Sequence, residues 1–177
     1  MANAPTGKKK WPLERVRYDL LMGDEITIRA ATPADLAAIL HHRRAMFEDM
    51  GYRDPAALDA TLATSGPYIA QGLAEGFYLG WLAEDASGRV VAGGGVIVHP
   101  WVSHPLNLQA RRAYILNVYT EPDCRRRGLA RRIMQAIVDW SRREGFGSVA
   151  LHASDEGRSL YEALGFKPTN EMRLDLK

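Results

Sequence analysis

Cysteine is nearly absent: Cys124 is the only one in 177 residues. That excludes an intrachain disulfide and a cysteine-rich zinc site. A lone thiol suits a reducing compartment, so a cytoplasmic setting is expected. No apolar run is long enough to span a bilayer. Lys8-Lys9-Lys10 leads into Trp11-Pro12-Leu13-Glu14, not into the apolar core of a signal peptide, so no membrane partner is expected. Neither sign of charge dominates. The 23 Lys and Arg stand against 21 Asp and Glu, a net charge of +2, and bulk electrostatics do not call for nucleic acid. Two common phosphate fingerprints are missing as well. No Gly-Lys-Ser/Thr follows a glycine loop, and Gly128 has no second glycine two residues away.

What is present is 46% hydrophobic residues, enough for one good core and therefore one domain. Residues 1–25 show no clean period and read as an N-terminal extension, partly flexible, from which Leu13, Val16, Tyr18, Leu20 and Leu21 can pack as a short arm. Residues 26–177 read as the domain. Ile26 to Ala30 alternates as a strand. Thr32-Pro33-Ala34-Asp35 announces a helix by its cap, its proline and its acid. Pro55 to about Glu75 reads as a second helical region, interrupted near Ser65-Gly66-Pro67. Phe77 to Glu84 and Arg89 to His99 form a hairpin about Asp85-Ala86-Ser87-Gly88. Gly93-Gly94-Gly95 inside the second of these strands predicts a close approach by another backbone or a ligand. Tyr114 to Thr120 is the next strand. Leu129 to Glu144 is an amphipathic helix with Leu129, Ile133, Ala136, Ile137 and Trp140 on its apolar face. A strand over Ser148 to Ala153 closes a βαβ unit with a parallel pair. A short helix, Glu156 to Leu164, ends at Gly165, and Phe166 to Pro168 and Met172 to Leu176 read as closing strands.

The chemistry gathers where strand meets helix, at Pro122-Asp123-Cys124-Arg125-Arg126-Arg127-Gly128-Leu129-Ala130-Arg131-Arg132. The first amides of a helix lack intrahelical acceptors and sit at its positive end. A diphosphate placed there meets backbone donors, and flanking arginines add charge-assisted bonds. Gly128 allows close approach and a positive φ.

The run Arg125-x-x-Gly128-x-Ala130 resembles the acetyl-CoA pyrophosphate loop of the GCN5-related N-acetyltransferases (GNAT), whose pattern is Gln/Arg-x-x-Gly-x-Gly/Ala. Leu160-Tyr161-x-x-x-Gly165-Phe166 resembles the segment that closes their acetyl-CoA site. Both occur in the family's order and spacing, and the resemblance covers roughly Ile26 to Leu176. It implies an α/β fold with a mixed, mostly antiparallel sheet, one parallel splayed strand pair and flanking helices. It also implies acetyl-CoA as cosubstrate, an amine-bearing small molecule or peptide as acceptor, direct transfer and no metal. Carried over by position, the backbone of Val118, Tyr119 and Thr120 pairs with pantetheine. Arg126, Arg127, Gly128, Leu129, Ala130 and Arg131 surround the pyrophosphate, with Arg125 at the loop's start. Tyr161 protonates the departing thiolate. Cys124 is a packing residue rather than a nucleophile.

Ser154 stands where many relatives have asparagine, with less reach toward pantetheine. Val149 stands where some keep a basic glutamate, which leaves His152, Glu121, Glu48 and Asp49 as candidates for the base. The acceptor site would draw on Met46, Phe47, Glu48, Asp49, Tyr52, Tyr68, Trp101 and His104. Sheet edges or apolar helix faces would permit a homodimer. Two other readings stay open at this level: an acyl-CoA-binding sensor without turnover, and a nucleic-acid binder that uses the arginine-rich helix start.

Overall fold

The computed structural model describes residues 16–18, 26–103, 105 and 108–176. Lys8 to Lys10, Leu13, Leu20, Leu21 and His104 lie outside them. One sheet organises the rest. Its six strands stand in sequence order: β1 (Val16–Tyr18), β2 (Ile26–Ala30), β3 (Tyr78–Glu84), β4 (Val90–Pro100), β5 (Arg111–Thr120) and β6 (Val149–Ala150). Every pairing is antiparallel except β5 with β6. The helices are α1 (Leu36–Asp49), α2 (Pro55–Glu75), α3 (Leu129–Arg143) and α4 (Asp155–Ala163). This is the mixed sheet with flanking helices that the resemblance implied. Val16–Tyr18 joins it through the register Val16↔Ile28, so part of the expected extension is an edge strand. Among the described residues no helix is long and apolar enough to cross a membrane.

Period-2 alternation sorts the strand residues onto two faces. On one face Leu79, Trp81, Ala83, Val96, Ala113 and Ile115 meet Leu129, Ile133, Met134, Ile137 and Trp140 of α3. The Trp140 ring stands edge-on to Trp81, centroids 5.5 Å apart. On the other face Tyr78 and Leu82 meet Ile39 of α1 and Ile69 of α2. The three glycines of β4 let both layers close down, chiefly onto side chains, with the Trp81 carbonyl also 3.4 Å from where a Cβ at Gly93 would lie. A Cβ at Gly94 would lie 2.8 Å from Ile133 Cγ2, and one at Gly95 would lie 2.4 Å from the Tyr78 hydroxyl.

Three expectations need correction. The first is the break in the second helix: α2 runs unbroken through Pro67. Gly66 is buried against Leu40, and Leu58 and Ile69 bury on either side of the proline. That burial holds both halves in one helix against a cost of about 3 kcal/mol for an interior proline. Ser65 Oγ also donates to the Thr61 carbonyl in the turn before Pro67. The second is the length of β6, which is two residues rather than Ser148 to Ala153. Between Gly93↔Tyr119 and Gly95↔Leu116, two steps of β4 oppose three of β5, and Asn117 takes φ +56° in the gap. Such a bulge bends its strand, and β5 pairs with β6 only at Ala113↔Val149 and Tyr114↔Ala150. The third is the pair of closing strands. Phe166 to Pro168 and Met172 to Leu176 form none, and Met172, Leu174 and Leu176 are exposed. Their alternation finds no ladder to extend.

The interior also holds an acid-sensitive group. His42 is 2% exposed, with Nε2 3.4 Å from the Glu121 carboxylate. Burial pushes its imidazole below the ordinary value, against the pull of Glu121. The unfolded chain therefore takes up a proton first, and stability falls as pH drops below about 6.5. The Arg29 guanidinium holds Asp35 down at about 2, so that contribution fades in a separate window, from about pH 4 to about pH 2. Melting temperature recorded against pH should decline from pH 7 to pH 5, and His42→Gln should flatten that part of the curve.

Candidate active site

β5 ends where the Glu121 amide donates to the Val91 carbonyl at 2.9 Å, and Pro122 opens a single 3-10 turn through Cys124. Asp123 accepts two bonds from Arg89, at 2.7 and 3.0 Å, which tie this turn to the β3–β4 hairpin. Cys124 is buried in the core below, and burial pushes its thiol up, away from the nucleophilic thiolate. The loop then curls. Arg126 takes φ +63° and Gly128 φ +79°, left-handed residues that flank Arg127. Left-handed turns of this kind converge successive amides into anion-binding concavities. Gly128 caps α3 without a side chain, and its carbonyl accepts from the Arg132 amide at 3.1 Å. The amides of Leu129, Ala130 and Arg131 precede the first intrahelical donor.

A cleft of about 440 Å³ opens beside these amides. The diverging ends of β5 and β6 make its floor, through Val118, Tyr119 and Thr120 on one side and Ser154 on the other. Arg125, Arg126, Gly128 and Ala130 form one end, and Tyr161 of α4 the other. Leu129 does not line it, being 1% exposed with its side chain in the core. Neither do Arg127, whose Nη1 lies 4.0 Å from Cys124 Sγ, and Arg131, which is exposed. Arg125 is already engaged. Its Nε donates to the Thr120 carbonyl at 3.0 Å, its Nη2 bonds Asp49 of α1, and it lies over the Tyr119 ring. Thr120 Oγ1 is buried and has no partner among the described residues. Free amides and an exposed Arg126 on one cleft fit a diphosphate.

The Leu160-Tyr161-x-x-x-Gly165-Phe166 spacing has a local cause. Gly165 takes φ +91° after α4, its amide donates to the Glu162 carbonyl, and the Phe166 amide donates to the Tyr161 carbonyl at 3.0 Å. This C-terminal cap turns Phe166 back onto the Tyr161 ring, centroids 6.0 Å apart. Gly157, one turn earlier, leaves room for that ring, since a Cβ there would lie 2.9 Å from Tyr161 Cε2. Tyr161 is thus clamped from both sides. Its hydroxyl has no hydrogen-bond partner among the described residues, and burial raises its pKa, so it stays protonated at neutral pH. Ser154 is taken up as the cap of α4, its Oγ accepting from the Gly157 amide at 3.2 Å.

The residues expected around the acceptor do not share one space. Met46 and Asp49 line the cleft just described, together with Met50, Glu156, Gly157 and Leu160, which sequence reasoning did not single out for it. For Gly157 the signal was its position one turn before Tyr161. Phe47 and Tyr52 border a separate cavity between α1 and α2. Tyr68 packs on Phe77, and Trp101 meets His99 edge to face and lies under Arg112. Among the described residues no group of His, Cys, Asp and Glu is arranged to hold a metal.

Comparison with known proteins gives this geometry its setting. The model of the acetyltransferase (GNAT) family matches residues 37–166. A GCN5-related N-acetyltransferase from Ralstonia eutropha JMP134 is 36% identical, with a TM-score of 0.78 over 85% of this chain and 98% of that one. A predicted acetyltransferase from Clostridium acetobutylicum, solved with acetyl-CoA, is 26% identical, with a TM-score of 0.76 over 86% of this chain and 96% of that one. Probable N-acetyltransferase camello of Xenopus laevis is 32% identical over 66 residues, which span 36% of this chain and 30% of that protein. The loop, the clamped tyrosine and the splayed strands thus sit inside a match over most of the domain, and the chain belongs to the GNAT acetyltransferase family.

Proposed function

We propose that this protein moves the acetyl group of acetyl-CoA directly to a primary amine on a small molecule or peptide. The observation that carries this reading is the single cleft that runs from the amides at the start of α3, between β5 and β6, to the Tyr161 hydroxyl. In this reading the diphosphate lies on the amides of Gly128 to Arg131 with Arg126 beside it, Arg127 contributes positive field, and Arg125 braces the loop against α1. The pantetheine arm lies along Val118, Tyr119 and Thr120 and fills the gap between the strands. The amine nitrogen attacks the thioester carbonyl, a β5 amide steadies the oxyanion, and the C–S bond breaks as Tyr161 protonates the sulfur. The amine's proton leaves to a base and solvent restores the phenol. No enzyme nucleophile enters, in keeping with the buried Cys124.

The relative from Clostridium acetobutylicum holds acetyl-CoA. Neighbours at about the 22% level include aminoglycoside N-acetyltransferase AAC(6')-Iy, solved with CoA, which supports the fold alone. We place the protein in the cytoplasm, with no nucleic-acid or membrane partner, and with residues 26–177 as its catalytic domain. A homodimer through the sheet edges is compatible with this reading.

Tyr161→Phe tests the chemistry. Thiol release with a primary amine should fall by about 10²-fold or more in kcat, with the KM for acetyl-CoA within a few-fold of wild type. Unchanged turnover would remove Tyr161 as the acid. Tight acetyl-CoA binding without turnover on any amine would favour the sensor reading.

A further inference from the structure

The identity of the proton acceptor is open in the sequence, where four candidates stand side by side. Three of them are spoken for. Glu121 lies 3.0 Å from His41 and 3.4 Å from the buried His42, and it borders neither large cleft of the active-site region. Glu48 pairs with Arg44, and Asp49 with Arg125. His152 is differently placed. Val149 and Leu151 turn into the core beneath α3, so alternation puts His152 on the opposite face, just past the point where β6 leaves β5. Ala113 and Ile115 likewise turn toward α3, so Tyr114 shares the face of His152. The two rings meet across the parting strands with centroids 5.7 Å apart, and the Tyr114 hydroxyl is in hydrogen-bond contact with His152 Nδ1. His152 also lines a second cleft, of about 300 Å³, whose wall includes Tyr161. The ring of Tyr161 therefore stands between the cofactor cleft and this one.

We propose that the second cleft admits the acceptor amine and that His152 takes its proton, with Tyr114 as the positioning residue. The inference rests on the acetyl-transfer reading above. With Nδ1–H donated to the Tyr114 oxygen, the Nε2 lone pair is the one left for the amine. As the N–C bond forms, the amine's proton passes to Nε2. As the C–S bond breaks, the Tyr161 proton passes to sulfur, and solvent resets both rings. Tyr114 remains a neutral phenol throughout, since burial raises its pKa. The charged groups that share the cleft are Arg112 of β5, Arg158 and Glu162 of α4, and Lys167 and Glu171 beyond it. Arg112 is partly balanced by Glu171 at 3.6 Å.

The test measures thiol release from acetyl-CoA across pH for wild type, His152→Gln and Tyr114→Phe. The acceptors are kanamycin, spermidine, lysine and a short peptide with a free N-terminus. Acetyl-CoA binding to each protein is titrated in parallel. Wild-type kcat/KM should show an acid limb. His152→Gln should lower kcat/KM by about 10²-fold and abolish that limb, with acetyl-CoA affinity within about two-fold of wild type. Tyr114→Phe should cost less than His152→Gln, with the loss in kcat/KM for the amine and acetyl-CoA affinity within about two-fold of wild type. A His152→Gln protein that keeps both rate and limb overturns the proposal. So does a wild type that binds acetyl-CoA yet releases thiol to none of the four amines. A wild type that does not bind acetyl-CoA overturns the transferase reading itself, and this inference with it.

Discussion

Gly128→Glu should abolish measurable acetyl-CoA binding, a loss of about 10²-fold or more, while the chain stays folded. Two effects add. At φ +79° a side chain costs about 1–3 kcal/mol of backbone strain. A Cβ there meets no heavy atom within 4 Å, so the fold has space for the new side chain, and that space is the cleft itself. The carboxylate then occupies the mouth of the proposed diphosphate site and repels what the helix start should attract. Gly128→Ala separates the terms, since it carries the strain without the charge or the bulk. Titration calorimetry with acetyl-CoA should find Ala several-fold weaker than glycine, and Glu without detectable heat. Equal affinities for all three would mean that the loop does not hold the phosphates.

The largest effect on stability is expected at Gly95. A Cβ there would sit 2.4 Å from the Tyr78 hydroxyl and 2.6 Å from its Cζ, distances that no Cβ tolerates. Tyr78 is 2% exposed and cannot swing into solvent. Its hydroxyl accepts from Asn117 Nδ2 at 3.1 Å, and Asn117 Oδ1 accepts from Arg43 Nη1 at 2.6 Å. Burial pushes the Tyr78 phenol up to about 12, so it acts as a neutral hydrogen-bonding group throughout. Gly95→Val must displace the ring and so breaks a chain of bonds that fixes the bulge. Overpacking costs about 1–3 kcal/mol and an orphaned buried polar group about 1–3 more. A sum of about 4 kcal/mol is a large part of a typical total stability of 5–15 kcal/mol. Denaturant melts should show the midpoint falling accordingly, with acetyl-CoA affinity reduced in whatever protein remains folded. A midpoint within experimental scatter of wild type would mean that the Tyr78–Asn117–Arg43 chain does not hold the bulge in place.

The regular elements were legible because each carried its own signal. The α3 stripe, the Asp85-Ala86-Ser87-Gly88 turn and the proline and caps before α1 all act within a few residues. The turn into α3 and the cap after α4 were legible for a related reason: Gly128 and Gly165 are left-handed positions with fixed neighbours. What stayed hidden depends on other parts of the chain. Nothing local to Asn117 announces a left-handed residue in mid-strand. It sits opposite glycines packed tightly against Ile133 and Ile137 of α3 and against Tyr78, and it lies three residues beyond the last β5–β6 pair at Tyr114. Pro67 misled because burial of Leu58 and Ile69 outweighs a local breaker. The Tyr114–His152 contact joins residues 38 positions apart, just past the end of the β5–β6 ladder.

The most direct measurement is a map of amide chemical shifts on addition of acetyl-CoA to the isotopically labelled protein. The largest changes should fall on the amides of Val118 to Thr120 and Arg126 to Arg131, with further changes around Ser154 and Tyr161. Shifts confined to other surfaces, or none with saturating acetyl-CoA, would contradict that placement of acetyl-CoA.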